Sequence, residues 1–106
     1  MSGMIELYQA EWCPHSHRVR MRMTELGVSC VLHQVPADPD ARTALADATG
    51  QTEIPTLVTD AGPISGTDAI LAYLDDRYPD RTRVEEHRMK AAEEAGEWEW
   101  PATAGR

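Results

Sequence analysis

The chain has 106 residues, 42% of them hydrophobic, a length that supports one compact domain but not two hydrophobic cores. Its 18 acidic residues against 10 basic ones give a net charge of −8, which repels nucleic acid and anionic membranes, so neither is an expected partner. The chain has no apolar run long enough to span a membrane, no signal-peptide pattern at its start and only two cysteines. These features predict a soluble, cytoplasmic protein whose thiols are free.

A strand, a helix and a second strand are predicted first. Residues 4–8 alternate apolar and polar side chains, as a strand does. Pro14 then opens a helix whose apolar residues recur at helical spacing until Gly27 ends it. Residues 29–35 are rich in β-branched and apolar side chains. This order predicts a right-handed βαβ unit with parallel strands.

A short helix and a hairpin are predicted next. Residues 41–49 are rich in alanine and are followed by Gly50, which closes a helix. Residues 56–59 and 63–65 are short strand candidates, and the turn residues Asp60-Ala61-Gly62 separate them. A turn of this kind predicts an antiparallel pair.

Two further helices complete the predicted elements. Gly66-Thr67-Asp68 supplies N-terminal capping residues for a helix that Pro79 ends. Residues 82–98 predict a last helix whose apolar stripe is thin and mostly alanine. The bulky Trp98 and Trp100 either fold back on the core or form a contact with a partner, so a homodimer is one possibility.

The most informative stretch is Trp12-Cys13-Pro14-His15-Ser16, at the junction of the first strand and the first helix. Proline suits the first helical position, so Cys13 is predicted at the helix N-cap, beside unpaired amides and the positive end of the helix dipole. That setting favours the thiolate, which is the form that attacks disulfides and electrophiles. We therefore expect chemistry at Cys13; the alternative is a buried cysteine that only precedes a helix.

Three motifs in this order resemble those of a known family. They are Cys13-Pro14-His15-Ser16 before an arginine-rich helix, Glu53-Ile54-Pro55-Thr56-Leu57, and Gly66-Thr67-Asp68-Ala69-Ile70. Together they resemble the glutaredoxins and the N-terminal domain of glutathione transferases, especially the omega-like type that carries a cysteine. The resemblance covers residues 4–79 and implies an α/β, thioredoxin-like fold, in which helices flank a four-stranded mixed sheet in βαβ-α-ββα order. Residues 1–81 would form the family domain, and residues 82–106 would add a C-terminal helix and tail to the same domain.

The resemblance implies that Cys13 is a nucleophile that forms a mixed disulfide with glutathione. Ser16 stands where dithiol relatives have a second cysteine, so a small thiol must resolve the adduct. We expect Ser16 to donate its hydroxyl or backbone N–H to the thiolate, although a serine in a first helical turn is also a common local cap.

The resemblance also implies a glutathione site. Its predicted residues are Cys13, Pro14, His15, Ile54, Pro55, Thr67 and Asp68. The backbone of Ile54, before a cis Pro55, would pair with the cysteinyl part of glutathione. Thr67 and Asp68 would hold the γ-glutamyl end, because helix amides suit a carboxylate and the Asp68 carboxylate suits an ammonium. From the residues alone, a trans Pro55 on an edge strand and plain N-capping remain alternatives.

Two departures from the family pattern leave alternatives open. Ala10 and Glu11 stand where dithiol glutaredoxins usually have a lysine, and Glu11 would tend to raise the pKa of Cys13. The residues after Pro79 are too few for the all-helical domain of the transferases. Conjugation of glutathione to bulky electrophiles is therefore less expected than thiol–disulfide exchange. The prediction is a glutathione-dependent monothiol oxidoreductase for disulfides or glutathionylated substrates. The alternative is a non-catalytic thiol-binding or protein-interaction module.

Metal binding and an internal disulfide are less favoured. Cys13, His15 and His17 do not share one helix face, so no metal is expected. Monothiol glutaredoxins that hold an iron–sulfur cluster have glycine where this chain has Pro14, so a cluster carrier is only a minor alternative. Cys30 is predicted to be a small buried apolar residue. The sequence leaves open whether Cys30 can reach Cys13.

Overall fold

The computed structural model describes residues 4–97, which form four strands and four α-helices. In chain order these are β1 (Glu6–Gln9), α1 (Pro14–Leu26), β2 (Val31–Gln34), α2 (Thr43–Thr49), β3 (Thr56–Thr59), β4 (Gly62–Ser65), α3 (Thr67–Arg77) and α4 (Val84–Glu97). One turn of 3-10 helix, Pro39–Ala41, precedes α2. The predicted Trp98 and Trp100 contacts fall outside the described residues.

The strands form one mixed sheet in the order β2-β1-β3-β4. β1 lies parallel to β2, as the predicted βαβ unit requires, and antiparallel to β3. β3 and β4 form the predicted antiparallel hairpin. The α/β, thioredoxin-like fold expected from the element order is therefore confirmed, including the added C-terminal helix.

Several predicted boundaries shift by one or two residues, and partner strands or side chains explain two of the shifts. β2 begins at Val31 rather than at residue 29, since the ladder with β1 starts at the pair Glu6 and Val31. The helix predicted over residues 41–49 is split, because Arg42 leaves helical geometry between the 3-10 turn and α2. The buried Arg42 guanidinium donates hydrogen bonds to the carbonyls of Pro36, Ala37 and Thr52 and so holds this corner in place.

The end of α1 follows the glycine rule. Gly27 adopts φ 71°, in the left-handed region that favours glycine. Its amide donates to the Thr24 carbonyl at 3.1 Å, and the Val28 amide donates to the Met23 carbonyl at 2.8 Å. These bonds satisfy carbonyls that the helix end would otherwise leave open, and they turn the chain towards β2.

The hydrophobic core lies between the sheet and the pair α1 and α3. Its buried members are Ile5, Leu7, Val19, Met23, Leu57, Ile70 and Leu74. The apolar residues repeat at helical spacing in α1 and α3, which directs one face of each helix onto the sheet. This packing fixes where the first turns of both helices emerge at the edge of the sheet.

A network of ion pairs joins α1 to α3 and α4. The buried Glu25 carboxylate accepts hydrogen bonds from Arg22 at 3.1 Å and from Arg88 at 3.2 Å. Both oxygens of Asp75 accept from Arg22 at 2.7 Å. Because Glu25 is buried, its charge requires these partners. The network therefore anchors α4, which lies beyond the segment covered by the family resemblance, to the far end of α1.

Within residues 4–97, no helix combines the length and the apolar character that crossing a bilayer requires.

We predict that Leu74→Ala lowers the free energy of unfolding by about 3 kcal/mol, because it leaves a cavity in the core where the Leu74 side chain is fully buried. Urea denaturation measures the change. The same substitution at Leu32, which is 44% exposed, is the control and should cost well under half as much. Equal costs at the two positions would show that the core is not where this packing puts it.

Candidate functional site

Cys13 is the N-cap of α1, as predicted. Its backbone is extended, with φ −84° and ψ 117°, and Pro14 occupies the first turn of the helix. The Cys13 sulfur accepts a hydrogen bond from the backbone N–H of Ser16 at 3.5 Å. The residue is only 6% exposed. The thiol therefore lies at the positive end of α1, where an anion is stabilised.

Ser16 is fully buried in the first turn of α1 and contacts both Cys13 and the residue Ala10 that precedes the turn. Its hydroxyl oxygen accepts from the Ala10 amide at 3.4 Å. The Cys13 amide in turn donates to the Ala10 carbonyl at 3.1 Å. The Ser16 hydroxyl also helps to lower the pKa of the Cys13 thiol. Ser16 thus fixes the loop before the helix and contacts the sulfur, as well as being part of the first turn.

The Cys13 thiol has a pKa below its ordinary value. Burial raises this pKa, but hydrogen bonds from the Ser16 hydroxyl and from the amides of Ser16 and His15 lower it, and the positive charge of Arg20 lowers it further. The lowering effects prevail. A larger fraction of Cys13 is therefore the nucleophilic thiolate at neutral pH.

The positive charge that helps to lower the pKa of Cys13 belongs to Arg20 in α1, and not to a residue before the cysteine. Arg20 hydrogen-bonds to the side-chain oxygen of the buried Gln9 and forms an ion pair with Glu11 at 3.2 Å. Gln9 also donates to Gln34 at 2.9 Å, which holds this arrangement against the sheet. Glu11 is 84% exposed and is engaged with Arg20. The net shift of the Cys13 pKa is downward, as the N-cap position predicts, and Arg20 supplies the positive charge that contributes to it.

A sequence signal for Arg20 was available. Arg20 follows Cys13 by seven residues, which is close to two helical turns and places both on nearly the same side of α1. The family pattern has its cation before the cysteine, whereas in this chain the cation lies within α1.

The second element of the site is the turn before β3. The peptide bond between Ile54 and Pro55 is cis, which is the isomer that the resemblance implies. The Pro55 carbonyl accepts a hydrogen bond from the Gly66 amide at 3.2 Å. This bond joins the start of β3 to the start of α3, so the second and third motifs lie side by side.

The first turn of α3 has no side-chain cap among the described residues. Gly66 is the N-cap, with φ 95°, and neither Thr67 nor Asp68 caps the helix with its side chain. The amides of this turn therefore point out of the helix without a capping side-chain acceptor. Plain N-capping, the alternative left open by the sequence, does not describe Thr67 and Asp68 here.

A cleft of about 480 Å³ lies between the first turns of α1 and α3. His15 and Arg18 form one wall, and residues 65–69 form the other. Of the residues predicted to bind glutathione, His15, Thr67 and Asp68 line this cleft. Cys13, Pro14, Ile54 and Pro55 do not line it; Cys13 precedes it at the helix start, and Pro55 adjoins it through Gly66.

Cys30 is remote from Cys13. Its sulfur is 3.7 Å from the sulfur of Met23, in the last turns of α1, and it precedes β2 rather than lying in it. Met23 is ten residues along the helix from Cys13, a distance of roughly 15 Å at the usual helical rise. A disulfide needs Cα atoms within about 7 Å, so Cys13 and Cys30 do not bridge within one chain. Cys30 is partly buried rather than fully buried as predicted, and this burial raises the pKa of its thiol.

Across the residues that the structure describes, no group of three or more histidine, cysteine or acidic side chains is arranged to hold a metal ion.

We predict that Ser16→Ala shifts the pH profile of Cys13 alkylation upward. The variant loses a hydrogen bond that lowers the pKa of the thiol, so its alkylation is slower at and below neutral pH and matches the parent at high pH. The measurement is the iodoacetamide rate against pH in a Cys30→Ser background. Ser29→Ala, the same change in the exposed loop before β2, is the control and should leave the profile in place. An unmoved midpoint for Ser16→Ala would contradict the role given to this hydroxyl.

Comparison with known proteins is consistent with this geometry. Residues 7–82 match the family model of the glutathione S-transferase N-terminal domain. The chain is also 35% identical over 75 residues to glutaredoxin 3 of Escherichia coli K12, an alignment that covers 69% of this chain and 87% of that protein.

Solved transferase structures share the fold. Rice GST1 in complex with glutathione is 26% identical, with a TM-score of 0.63, over 74% of this chain and 35% of the rice chain. Glutathione S-transferase 1-6 from Anopheles dirus species B is 28% identical, with a TM-score of 0.62, over 69% of this chain and 35% of that one. Glutathione transferase Omega 3C from Trametes versicolor has a TM-score of 0.66 at 17% identity, over 77% of this chain and 37% of that chain, and shows the fold alone.

The chain thus spans little more than a third of these transferases but most of the glutaredoxin. It belongs to the glutathione S-transferase N-terminal domain family and is a relative of the glutaredoxins.

Proposed function

We propose that this protein is a glutathione-dependent monothiol thiol–disulfide oxidoreductase in which Cys13 is the nucleophile. The observation that carries the proposal is the Cys13 sulfur at the N-cap of α1, held by the Ser16 amide at 3.5 Å and with a lowered pKa. Two relatives support it: one is named a glutaredoxin, and a rice transferase was solved with glutathione.

The first step is attack of the Cys13 thiolate on the glutathionyl sulfur of a mixed disulfide R–S–SG. The bond between Cys13 and that sulfur forms as the R–S bond to it breaks, and the leaving RS⁻ takes a proton from water. Hydrogen bonds from Ser16 hold the negative charge of the attacking sulfur before the reaction. The product is reduced RSH and a glutathionylated Cys13.

The second step returns the enzyme to its starting state. A second glutathione, as its thiolate, attacks the glutathionyl sulfur on Cys13 and releases glutathione disulfide and the Cys13 thiolate. The same contacts that lower the pKa of Cys13 make it a better leaving group in this step. The net change is R–S–SG plus GSH giving RSH plus GSSG, which balances in atoms and electrons.

The monothiol character follows from which thiols lie near Cys13. The chain has two cysteines, and the second is at the far end of α1. Ser16, in the first turn, offers a hydroxyl and an amide but no thiol. An external thiol must therefore resolve the adduct.

Glutathione is proposed to extend from Cys13 into the cleft between α1 and α3. The Ile54 backbone, beside the cis Pro55, would pair with its cysteinyl part, and Pro14 and His15 would flank it. The open amides of the first turn of α3, with Thr67, suit the γ-glutamyl carboxylate.

Intact-mass spectrometry after exposure to glutathione disulfide tests the proposal. The wild-type protein should gain one glutathionyl group, and reduced glutathione should remove it. Cys13→Ser should gain none, while Cys30→Ser, the matched control, should behave as the wild type. An adduct on Cys13→Ser, or none on the wild type, would contradict the proposal. Retained glutathione binding without an adduct would instead favour the non-catalytic thiol-binding module.

We further predict that Asp68→Asn raises the KM for glutathione roughly tenfold, the equivalent of about 1.4 kcal/mol, with little change in kcat. The reason is loss of the carboxylate that would face the glutathione ammonium in the cleft. Steady-state deglutathionylation of a peptide measures both constants. Asp76→Asn makes the same change of charge near the other end of α3 and should leave KM unaltered. Equal KM values for Asp68→Asn and the wild type would remove Asp68 from the site.

A further inference from the structure

Arg18 forms part of the α1 wall of the cleft, facing the start of α3. Arg18 lies in the α1 wall of the cleft, and Asp68 lies in the opposite wall together with the N-terminus of α3. Both side chains are exposed to solvent. Among the ion pairs of residues 4–97, neither Arg18 nor Asp68 takes part in one.

The other arginines of α1 are already committed to protein contacts. Arg20 pairs with Glu11 and hydrogen-bonds to Gln9. Arg22 pairs with acidic residues of α1 and α3 in the structural network. Arg18 is therefore the α1 arginine that lines the cleft and forms no ion pair among residues 4–97.

The charges of the cleft match one kind of ligand end. A cation on one wall and an anion on the other, beside open helix amides, complement a group that carries both a carboxylate and an ammonium. The α-amino acid end of a γ-glutamyl thiol is such a group. A thiol with a neutral or sugar-like end would leave Arg18 and Asp68 without partners. The net charge of −8 also disfavours anions in general, so a local cation is needed to attract a carboxylate.

We propose that Arg18 is a specificity-determining residue that pairs with the α-carboxylate of the substrate's amino-acid end, opposite Asp68. Arg18 thereby favours disulfides that present a free α-carboxylate in the cleft over disulfides that lack one. This inference rests on the proposed function and deepens it, because it assigns to Arg18 the recognition of one end of the substrate.

The test compares two disulfides on the same cysteine. The rate of adduct formation at Cys13 is followed by intact mass in a Cys30→Ser background, with glutathione disulfide and with bis(2-hydroxyethyl) disulfide, which has no amino-acid end. Arg18→Gln should slow the reaction with glutathione disulfide roughly tenfold and leave the hydroxyethyl reaction unchanged. Arg18→Lys, which keeps the charge, should lie between Arg18→Gln and the parent.

Two controls separate a direct pairing from a general effect of charge. Arg77→Gln removes the same charge from the last turn of α3, away from the cleft, and should react as the parent does. Glutathione disulfide with its γ-glutamyl α-carboxylates converted to carboxamides should react slowly with the parent, and Arg18→Gln should slow it no further.

The outcomes distinguish this inference from the function beneath it. If the parent gains no adduct from glutathione disulfide, the proposed function fails and the inference falls with it. If the parent reacts but Arg18→Gln reacts equally fast, or is slowed equally with both disulfides, only the inference is overturned.

Discussion

The hydrogen bond from the Ser16 amide to the Cys13 sulfur is the contact on which the candidate site depends. It exists because Pro14 starts α1 directly after the cysteine, so that Cys13 takes the N-cap position. The Ala10 amide donates to the buried Ser16 hydroxyl and the Ala10 carbonyl accepts from the Cys13 amide, and these two bonds fix the loop before the helix. Packing of α1 against α3 and the sheet then brings the first turn of α3 to the opposite side of the cleft.

The two ends of α1 have different tasks. The first turn holds Cys13, the proposed nucleophile. At the other end, Gly27 caps the helix and Met23 contacts the sulfur of Cys30. The buried Glu25 lies in the same turns, and its ion-pair network reaches α3 and α4. The added helix α4 therefore stabilises the scaffold from the end of α1 that is away from the chemistry.

The sequence preferences of single turns predicted the ends of the helices well. The features that they did not predict depend on contacts between residues far apart in the chain. Proline and glycine positions predicted the limits of α1 and the N-cap at Cys13, because these effects act within one turn. The start of β2 depends on its register with β1, which no local pattern encodes. The role of Arg20 depends on contacts with Gln9 and Glu11 across the fold, and the cap of α3 at Gly66 depends on its bond to Pro55.

The central claim is that Cys13 is a stabilised thiolate ready for exchange, and a direct titration tests it best. The ultraviolet absorbance of the thiolate, followed against pH in Cys30→Ser with Cys13→Ser as the blank, reports the ionisation of Cys13 alone. The account predicts a midpoint below the ordinary pKa of a cysteine thiol. A midpoint at or above that value would show that burial outweighs the Ser16, His15 and Arg20 contributions and would contradict the account.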